Sequence, residues 1–125
     1  MNNKKILPSK LEKGDTIGVV APSNPIVGEN IEEVEMARKI VEESGFKVKF
    51  SKNLFFNTNG YSSTAKEKAE DINSMFADKE IKMIWCAKGG ENSNSVFEYL
   101  DYEEIKKNPK IVCGYSDITS LTNII

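Results

Sequence analysis

The stretch Asp15-Thr16-Ile17-Gly18-Val19-Val20-Ala21-Pro22-Ser23 decides the fold. An almost wholly apolar run that ends in turn-forming residues is typical of a strand buried on both faces, as in a parallel sheet. Apolar residues then recur at helical spacing across residues 31–41, and Gly45 follows as a helix-ending glycine. Residues 46–50 alternate apolar with polar side chains, which predicts a half-covered strand near a sheet edge. The predicted order is strand, helix, strand.

The rest of the chain repeats this alternation. Thr64 and Glu67 have the spacing of a capping box and predict the start of a second helix. One stripe of that helix is apolar, and its polar side chains are expected to stay in water: Lys66, Lys68, Glu70 and Asp71. Residues 81–87 and 111–114 predict two further strands, and residues 116–125 predict a closing helix. The alternation predicts an α/β fold, a mainly parallel sheet flanked by helices.

Length and charge exclude several classes of protein. The chain has 125 residues, which suits one domain. Its 17 basic and 19 acidic side chains give a net charge of −2. Acidic residues are interspersed among the lysines, so the sequence shows no basic patch for a nucleic-acid partner. Because no apolar run could span a bilayer and no signal peptide is recognisable, we expect a cytoplasmic protein without a membrane partner.

Two further expectations concern the cysteines and the end of the chain. Cys86 and Cys113 each lie in an apolar run, so we expect both to be buried, reduced thiols and not metal ligands. The last predicted helix stays apolar up to Ile124 and Ile125, without a cap or a polar tail. We therefore expect residues 1–125 to be part of a longer protein.

Ser116 is the candidate nucleophile. In open α/β sheets, ligands bind beyond the carboxyl ends of the strands, and there Gly114-Tyr115-Ser116-Asp117 joins a strand directly to a helix. This is the context of a nucleophile elbow, whose sharp turn lifts a serine hydroxyl clear of the sheet. Alternatively, Ser116 only caps the helix. Spacing alone favours the cap, because Ile118 stands where the G-x-S-x-G pattern has its second glycine.

Gly89 and Gly90 follow the third predicted strand. Without side chains, they would let backbone N–H groups approach a reacting carbonyl, as half of an oxyanion hole requires. A plain strand-to-helix turn that needs glycine for its geometry explains them equally well. A phosphate loop is disfavoured, because neither glycine-rich phosphate-binding pattern is present.

Taken together, the segments resemble the N-terminal domain of the LD-carboxypeptidase family (serine peptidase family S66). The resemblance follows the order and spacing of these segments: residues 13–23, 88–94, 100–102, 108–110 and 113–119. Gly114-Tyr115-Ser116-Asp117 is its most specific part. Asn92-Ser93-Asn94 with Asp101-Tyr102 leans toward the microcin-immunity branch of the family. The resemblance reverses the preference at Ser116, from helix cap to nucleophile.

This resemblance implies a carboxypeptidase or amide hydrolase with a Ser-Glu-His triad and a flavodoxin-like or class I glutamine amidotransferase-like N-terminal domain. Ser116 would attack, while the backbone N–H groups of Gly90 and Asp117 would hold the oxyanion. Substrate contacts are assigned to the neighbouring loop, at Gly89, Asn92 and Ser93. The expected substrate is a small peptide or peptidyl-nucleotide, the parent protein is expected to be a homodimer, and no cofactor or metal is implied.

The triad is incomplete within these residues. In the family, the glutamate and the histidine belong to a C-terminal domain, and this chain has no histidine. We therefore expect it to be the nucleophile-bearing domain of a two-domain parent and to be nearly inert alone. Two alternatives stay open: a flavodoxin-like domain that binds a ligand without chemistry, and a Ser-Lys hydrolase that uses Lys88 as its base.

Overall fold

A four-stranded parallel sheet forms the centre of the molecule. The computed structural model describes residues 6–24, 26–55, 64–90, 93–114 and 116–125. The strands are β1 (Thr16–Val20), β2 (Lys47–Phe50), β3 (Ile81–Cys86) and β4 (Ile111–Cys113). They lie in the order β2-β1-β3-β4, and every neighbouring pair is parallel. The predicted α/β class is confirmed, and β2 lies at an edge of this sheet, as its alternating pattern predicted.

Helices connect the strands. They are α1 (Glu29–Glu43), α2 (Ala65–Ala77), a 3₁₀ helix (Ser93–Tyr99), α3 (Tyr102–Lys107) and α4 (Ile118–Ile124). The capping box that the sequence predicts is present, since the Glu67 N–H donates to Thr64 Oγ1 and the Thr64 N–H donates to the Glu67 carboxylate, both at 3.2 Å. Gly45 follows α1 with a φ of 101°, the left-handed conformation expected of a helix-ending glycine. No described helix is long and apolar enough to cross a membrane.

The two faces of the sheet bury different amounts of surface. On one face, α2, α3, α4 and the 3₁₀ helix enclose the larger core, whose fully buried side chains include Ile72, Phe76, Ile84, Val96 and Ile118. On the other face, a smaller cluster lies near α1: Val19, Ala21, Ile26 and Leu54. None of the residues of α1 is buried. The α1 side of the sheet is therefore the less covered one.

The cysteines show this asymmetry. Cys86 is buried in the larger core, where burial raises the pKa of its thiol to about 12. Cys113 is exposed, so the expectation that both thiols are buried was wrong for Cys113. Its partner in the β3–β4 ladder is Trp85, which is 38% exposed. The apolar run around Cys113 predicted β4 correctly, but it did not show that the α1 side of the sheet would leave this residue exposed.

Candidate active site

Three loops at the carboxyl ends of the strands meet through hydrogen bonds. The loop after β1 contributes Ser23, the loop after β3 contributes Ser93, and the turn after β4 contributes Asp117. The Ser23 hydroxyl donates to Asp117 Oδ2 at 2.5 Å, and the backbone N–H of Ser93 donates to the same oxygen at 2.9 Å. The Ser93 hydroxyl donates to the Asp117 carbonyl at 2.7 Å. Hydrogen bonds thus connect the three loops at the edge of the sheet where the sequence predicts the site.

Ser116 lies at the turn between β4 and α4. Its φ is 59°, and among the described residues it is the only non-glycine residue with a positive φ. A left-handed backbone at a non-glycine residue costs roughly 1–3 kcal/mol and is concentrated at functional sites. The residue is exposed, so its side chain reaches the surface of the molecule. This is the backbone geometry of a sharp strand-to-helix elbow.

The helix-cap alternative finds no support in the contacts of Ser116. The residue at the N-cap position of α4 is Asp117, and the helix has no side-chain capping bond. The carbonyl of Ser116 accepts from the Thr119 N–H at 2.9 Å, whereas its hydroxyl makes no hydrogen bond within the described part of the chain. A capping serine uses that hydroxyl as an acceptor for a helix N–H. The hydroxyl is therefore left accessible.

Gly114 lies where the turn leaves no room for a side chain. A Cβ atom built on Gly114 would lie 2.3 Å from Ile118 Cγ2 and 3.2 Å from Cys86 Cβ. The turn therefore passes directly against α4 and β3, with room only for a glycine. Ile118 itself is fully buried, 1% exposed, and anchors α4 in the larger core. The missing glycine of the G-x-S-x-G pattern is thus replaced by a residue that the packing uses.

Gly90 is held close to the loop after β1. Its φ is 142°, and a Cβ atom built there would lie 2.0 Å from Asn24 Cγ. Any side chain at this position would displace Asn24. Within the described residues, neither the Gly90 N–H nor the Asp117 N–H donates a hydrogen bond. Both predicted oxyanion donors are thus free to bind a ligand oxygen, although no hydrogen bond in the described structure joins Gly90 to Asp117.

The predicted substrate contacts differ in their surroundings. Gly89 is half-buried, and Asn92 lies outside the described residues. Ser93 is fully buried, and its N–H and hydroxyl both donate to Asp117. Ser93 therefore joins two loops, and the predicted substrate contact at this position stays a prediction.

A buried lysine supports the site from behind. Lys68 of α2 is only 4% exposed, and its Nζ donates to the Ser23 carbonyl at 2.8 Å. The expectation that Lys68 stays in water was wrong. Burial lowers the pKa of this ammonium, while the charge of Asp117 opposes that shift. The sequence carried a signal, because Lys68 lies four residues before Ile72, on the apolar stripe of the helix.

The pKa of Asp117 is set by competing effects. Burial raises it, but the hydrogen bonds from Ser23 and Ser93 and the charge of Lys68 lower it further than burial raises it. The net shift is downward, so the carboxylate is ionised at neutral pH. A charged acceptor forms stronger hydrogen bonds than a neutral one. The three loops are thus held together by a carboxylate and not by a carboxylic acid.

Asp71 is the second polar residue of α2 that was wrongly expected in water. It is 6% exposed and accepts from the backbone N–H of Asn53 at 3.2 Å and from Asn53 Nδ2 at 2.8 Å. Burial raises the pKa of this carboxyl, although the bonds from Asn53 oppose the shift. Asp71 therefore ties the turn after β2 to α2.

The remaining candidate chemistry is limited. Lys88, considered as a base, donates from Nζ to Asn30 Oδ1 at 2.9 Å, in the first turn of α1. No hydrogen bond links it to Ser116 in the described structure. The described residues also contain no group of three histidine, cysteine, aspartate or glutamate side chains placed to hold a metal ion.

Comparison with known sequences gives consistent results. The model of the family described as "LD-carboxypeptidase N-terminal domain" matches residues 17–125. The chain is 40% identical over 119 residues to a Bacillus subtilis (strain 168) protein named "Probable murein peptide carboxypeptidase", covering 94% of the chain and 36% of that protein. It is 38% identical over 117 residues to the microcin C7 self-immunity protein MccF of Escherichia coli, covering 93% and 34%.

Comparison with solved structures agrees with the sequences. The structure of MccF in complex with aspartyl sulfamoyl adenosine matches with a TM-score of 0.88 at 36% identity, covering 94% of this chain and 35% of that one. The chain spans about a third of the length of the relatives that it matches. Since the family model covers most of its residues, the chain belongs to the LD-carboxypeptidase family and carries the N-terminal domain of that family.

Proposed function

We propose that this chain is the nucleophile-bearing domain of a serine-type carboxypeptidase or amide hydrolase, with Ser116 as the nucleophile. The observation that carries the proposal is the left-handed φ of 59° at an exposed serine, directly after a parallel strand, in a member of this family. A strained backbone is retained where its geometry is needed, and an elbow needs it to present the hydroxyl. The unengaged hydroxyl of Ser116 supports the same assignment.

The chemistry proposed for Ser116 is acyl transfer. Its oxygen attacks the scissile carbonyl and gives up its proton to a general base, and the same group later protonates the leaving amine. The N–H groups of Gly90, in the loop after β3, and of Asp117, directly after Ser116, would stabilise the tetrahedral oxyanion. Removing one such donor typically lowers kcat by a factor of about 100–1,000.

We propose that the base comes from outside these 125 residues, since the chain contains no histidine and Lys88 donates to Asn30. We propose that a glutamate and a histidine of a following domain complete the triad, in a parent protein of two domains. The length of the relatives, about three times the matched segment, supports this arrangement. This chain alone is then expected to hydrolyse substrate at a small fraction of the parent's rate.

The proposed substrate is a small peptide or a peptidyl-nucleotide. MccF has been solved with aspartyl sulfamoyl adenosine, and a relative of similar identity is named as a murein peptide carboxypeptidase. Hydrolysis of a murein tetrapeptide, compared with that of an aminoacyl sulfamoyl nucleotide, separates the two. The homodimeric parent and its cytoplasmic location stay predictions.

Fluorophosphonate labelling tests the nucleophile. The full-length gene product that contains this chain is labelled as wild type, as Ser116→Ala and as Ser44→Ala. We expect Ser116→Ala to abolish labelling and hydrolysis, since the attacking oxygen is gone. Ser44 is an exposed serine at the end of α1, whose hydroxyl bonds the Ile40 carbonyl, so its variant should react like wild type.

Labelling that persists in Ser116→Ala would overturn the assignment. A full-length protein that neither labels nor hydrolyses peptides, but binds one of the two substrates, would favour the non-catalytic binding domain instead.

A further inference from the structure

The Asp117 side chain has surroundings that an oxyanion donor does not need. Only its backbone N–H is required to stabilise an oxyanion. Yet its carboxylate accepts from the Ser23 hydroxyl and from the Ser93 N–H, and its carbonyl accepts from the hydroxyls of Ser93 and Ser120 at 2.7 and 2.8 Å. The residue directly after Ser116 is therefore fixed at both its side chain and its backbone.

We propose that Asp117 is a positioning residue, whose carboxylate holds the loops after β1, β3 and β4 in register so that Ser116 keeps its left-handed conformation. The loop after β3, which carries Gly90, is called the Gly90 loop. This inference rests on the proposed function of Ser116. It concerns a role for the side chain, separate from the role of the Asp117 N–H.

Fixing Asp117 fixes its neighbour because the two residues share a peptide bond. Peptide planarity leaves the chain only two soft dihedral angles for each residue. The Thr119 N–H donates to the Ser116 carbonyl and restrains the peptide plane that follows Ser116, while the bonds to the Asp117 carboxylate and carbonyl restrain the next residue. The tight packing of Gly114 on Ile118 restrains the chain before Ser116. A serine held between two restrained points retains a conformation that it would otherwise leave.

The same carboxylate also aligns the proposed oxyanion loop. Ser93 follows the Gly90 loop closely in sequence, and its buried N–H and hydroxyl both end on Asp117. On the opposite side, Asn24 packs against Gly90 and directly follows Ser23, which bonds Asp117. The residues on both sides of the Gly90 loop are thus connected to the Asp117 carboxylate.

Lys68 completes the arrangement. Its buried ammonium donates to the Ser23 carbonyl, behind the hydroxyl that reaches Asp117, and its charge attracts the carboxylate. A buried charge such as the Lys68 ammonium is a weak source of stability, and apolar replacements of buried charges are often neutral or stabilising. We therefore attribute the buried Lys68 ammonium to the geometry of the turn and not to a gain in stability.

The kinetic test compares Asp117→Ala with Asp101→Ala in the full-length gene product. Asp101 is a matched control, since it also accepts a backbone N–H, that of Glu104 at 3.1 Å, but caps α3 away from the site. We expect Asp117→Ala to lower kcat and the maximal labelling rate about 100-fold, as misplacement of a reacting group by about 1 Å can. KM should change little, and Asp101→Ala should keep wild-type kcat.

A melting temperature for each variant separates positioning from general destabilisation. The inference requires that Asp117→Ala loses activity at temperatures where it is fully folded. Equal kcat in Asp117→Ala and wild type would overturn it, as would a loss of kcat that Asp101→Ala reproduces at the same melting temperature.

Two further measurements test the network itself. In ¹³C-labelled full-length protein, the Asp117 carboxyl signal should titrate at a higher pH in Ser23→Ala and in Lys68→Met than in wild type, because each variant removes a contact that favours the anion. Ser23→Ala should also lower kcat when it is introduced into the wild-type protein. Introduced into Asp117→Ala, it should lower kcat little further, since both substitutions remove the same hydrogen bond between Ser23 and Asp117. Unchanged titration together with additive kinetic effects would contradict the network.

Failure of this inference differs from failure of the proposed function. If Ser116→Ala abolishes labelling while Asp117→Ala labels like wild type, the nucleophile stands and the positioning role falls. If labelling does not depend on Ser116 at all, the proposed function falls, whatever the titration of Asp117 shows.

Discussion

At the scale of single residues, the left-handed conformation of Ser116 has a consequence for stability. Glycine adopts this conformation freely, whereas alanine carries a Cβ atom that opposes it. Ser116→Gly should therefore exceed Ser116→Ala in free energy of unfolding by roughly 1 kcal/mol, measured by urea denaturation. At Ser44, where φ is −79°, the same pair of substitutions should favour alanine. Equal stability of the two Ser116 variants would contradict the strained turn.

Residue-scale reasoning from the sequence found the nucleophile candidate but not its support. Gly114, Ser116 and Asp117 are contiguous, so a local motif reveals them. The hydrogen bond from Ser23 to Asp117 joins residues 94 positions apart, and no local pattern encodes such a contact. The position of Lys68 on the apolar stripe of α2 indicated burial, but the carbonyl that binds its ammonium lies 45 residues away, and no local pattern reveals that partner.

At the scale of elements, α2 begins where the capping box places it. Thr64→Ala removes the acceptor for the Glu67 N–H and should lower the free energy of unfolding by about 1 kcal/mol. Thr64→Ser keeps the hydroxyl and should stay within a few tenths of a kcal/mol of wild type. Thermal or urea denaturation of both variants checks the expectation. Equal losses in alanine and serine would show that the cap contributes nothing.

Strands and helices were predictable because each has a local cause. The apolar run of β1, the helical spacing of α1 and the capping box of α2 lie within a few residues, and all three elements appear where expected. Which face of an element becomes buried depends on its neighbours in space. That is why the pattern around Cys113 predicted a strand correctly and its exposure wrongly.

At the scale of the whole molecule, uneven cover on the sheet predicts uneven thiol reactivity. Cys113 is exposed, whereas Cys86 is buried with its thiol pKa raised to about 12. In this 125-residue chain, one thiol should react with Ellman's reagent under native conditions and two after unfolding. Cys113→Ser should abolish the native reaction, and Cys86→Ser should leave it intact. Rapid native reaction of Cys86 would contradict the packing of the larger core.

The chain contains a single tryptophan, and it lies on that less covered face. Trp85 is 38% exposed and forms part of an apolar crevice against α1 with Val34, Val41 and Phe50. Its fluorescence emission therefore comes from one known place in the molecule. Any polypeptide that comes to cover this face would shift the emission to the blue and shield it from iodide, so the chain carries its own optical probe of assembly.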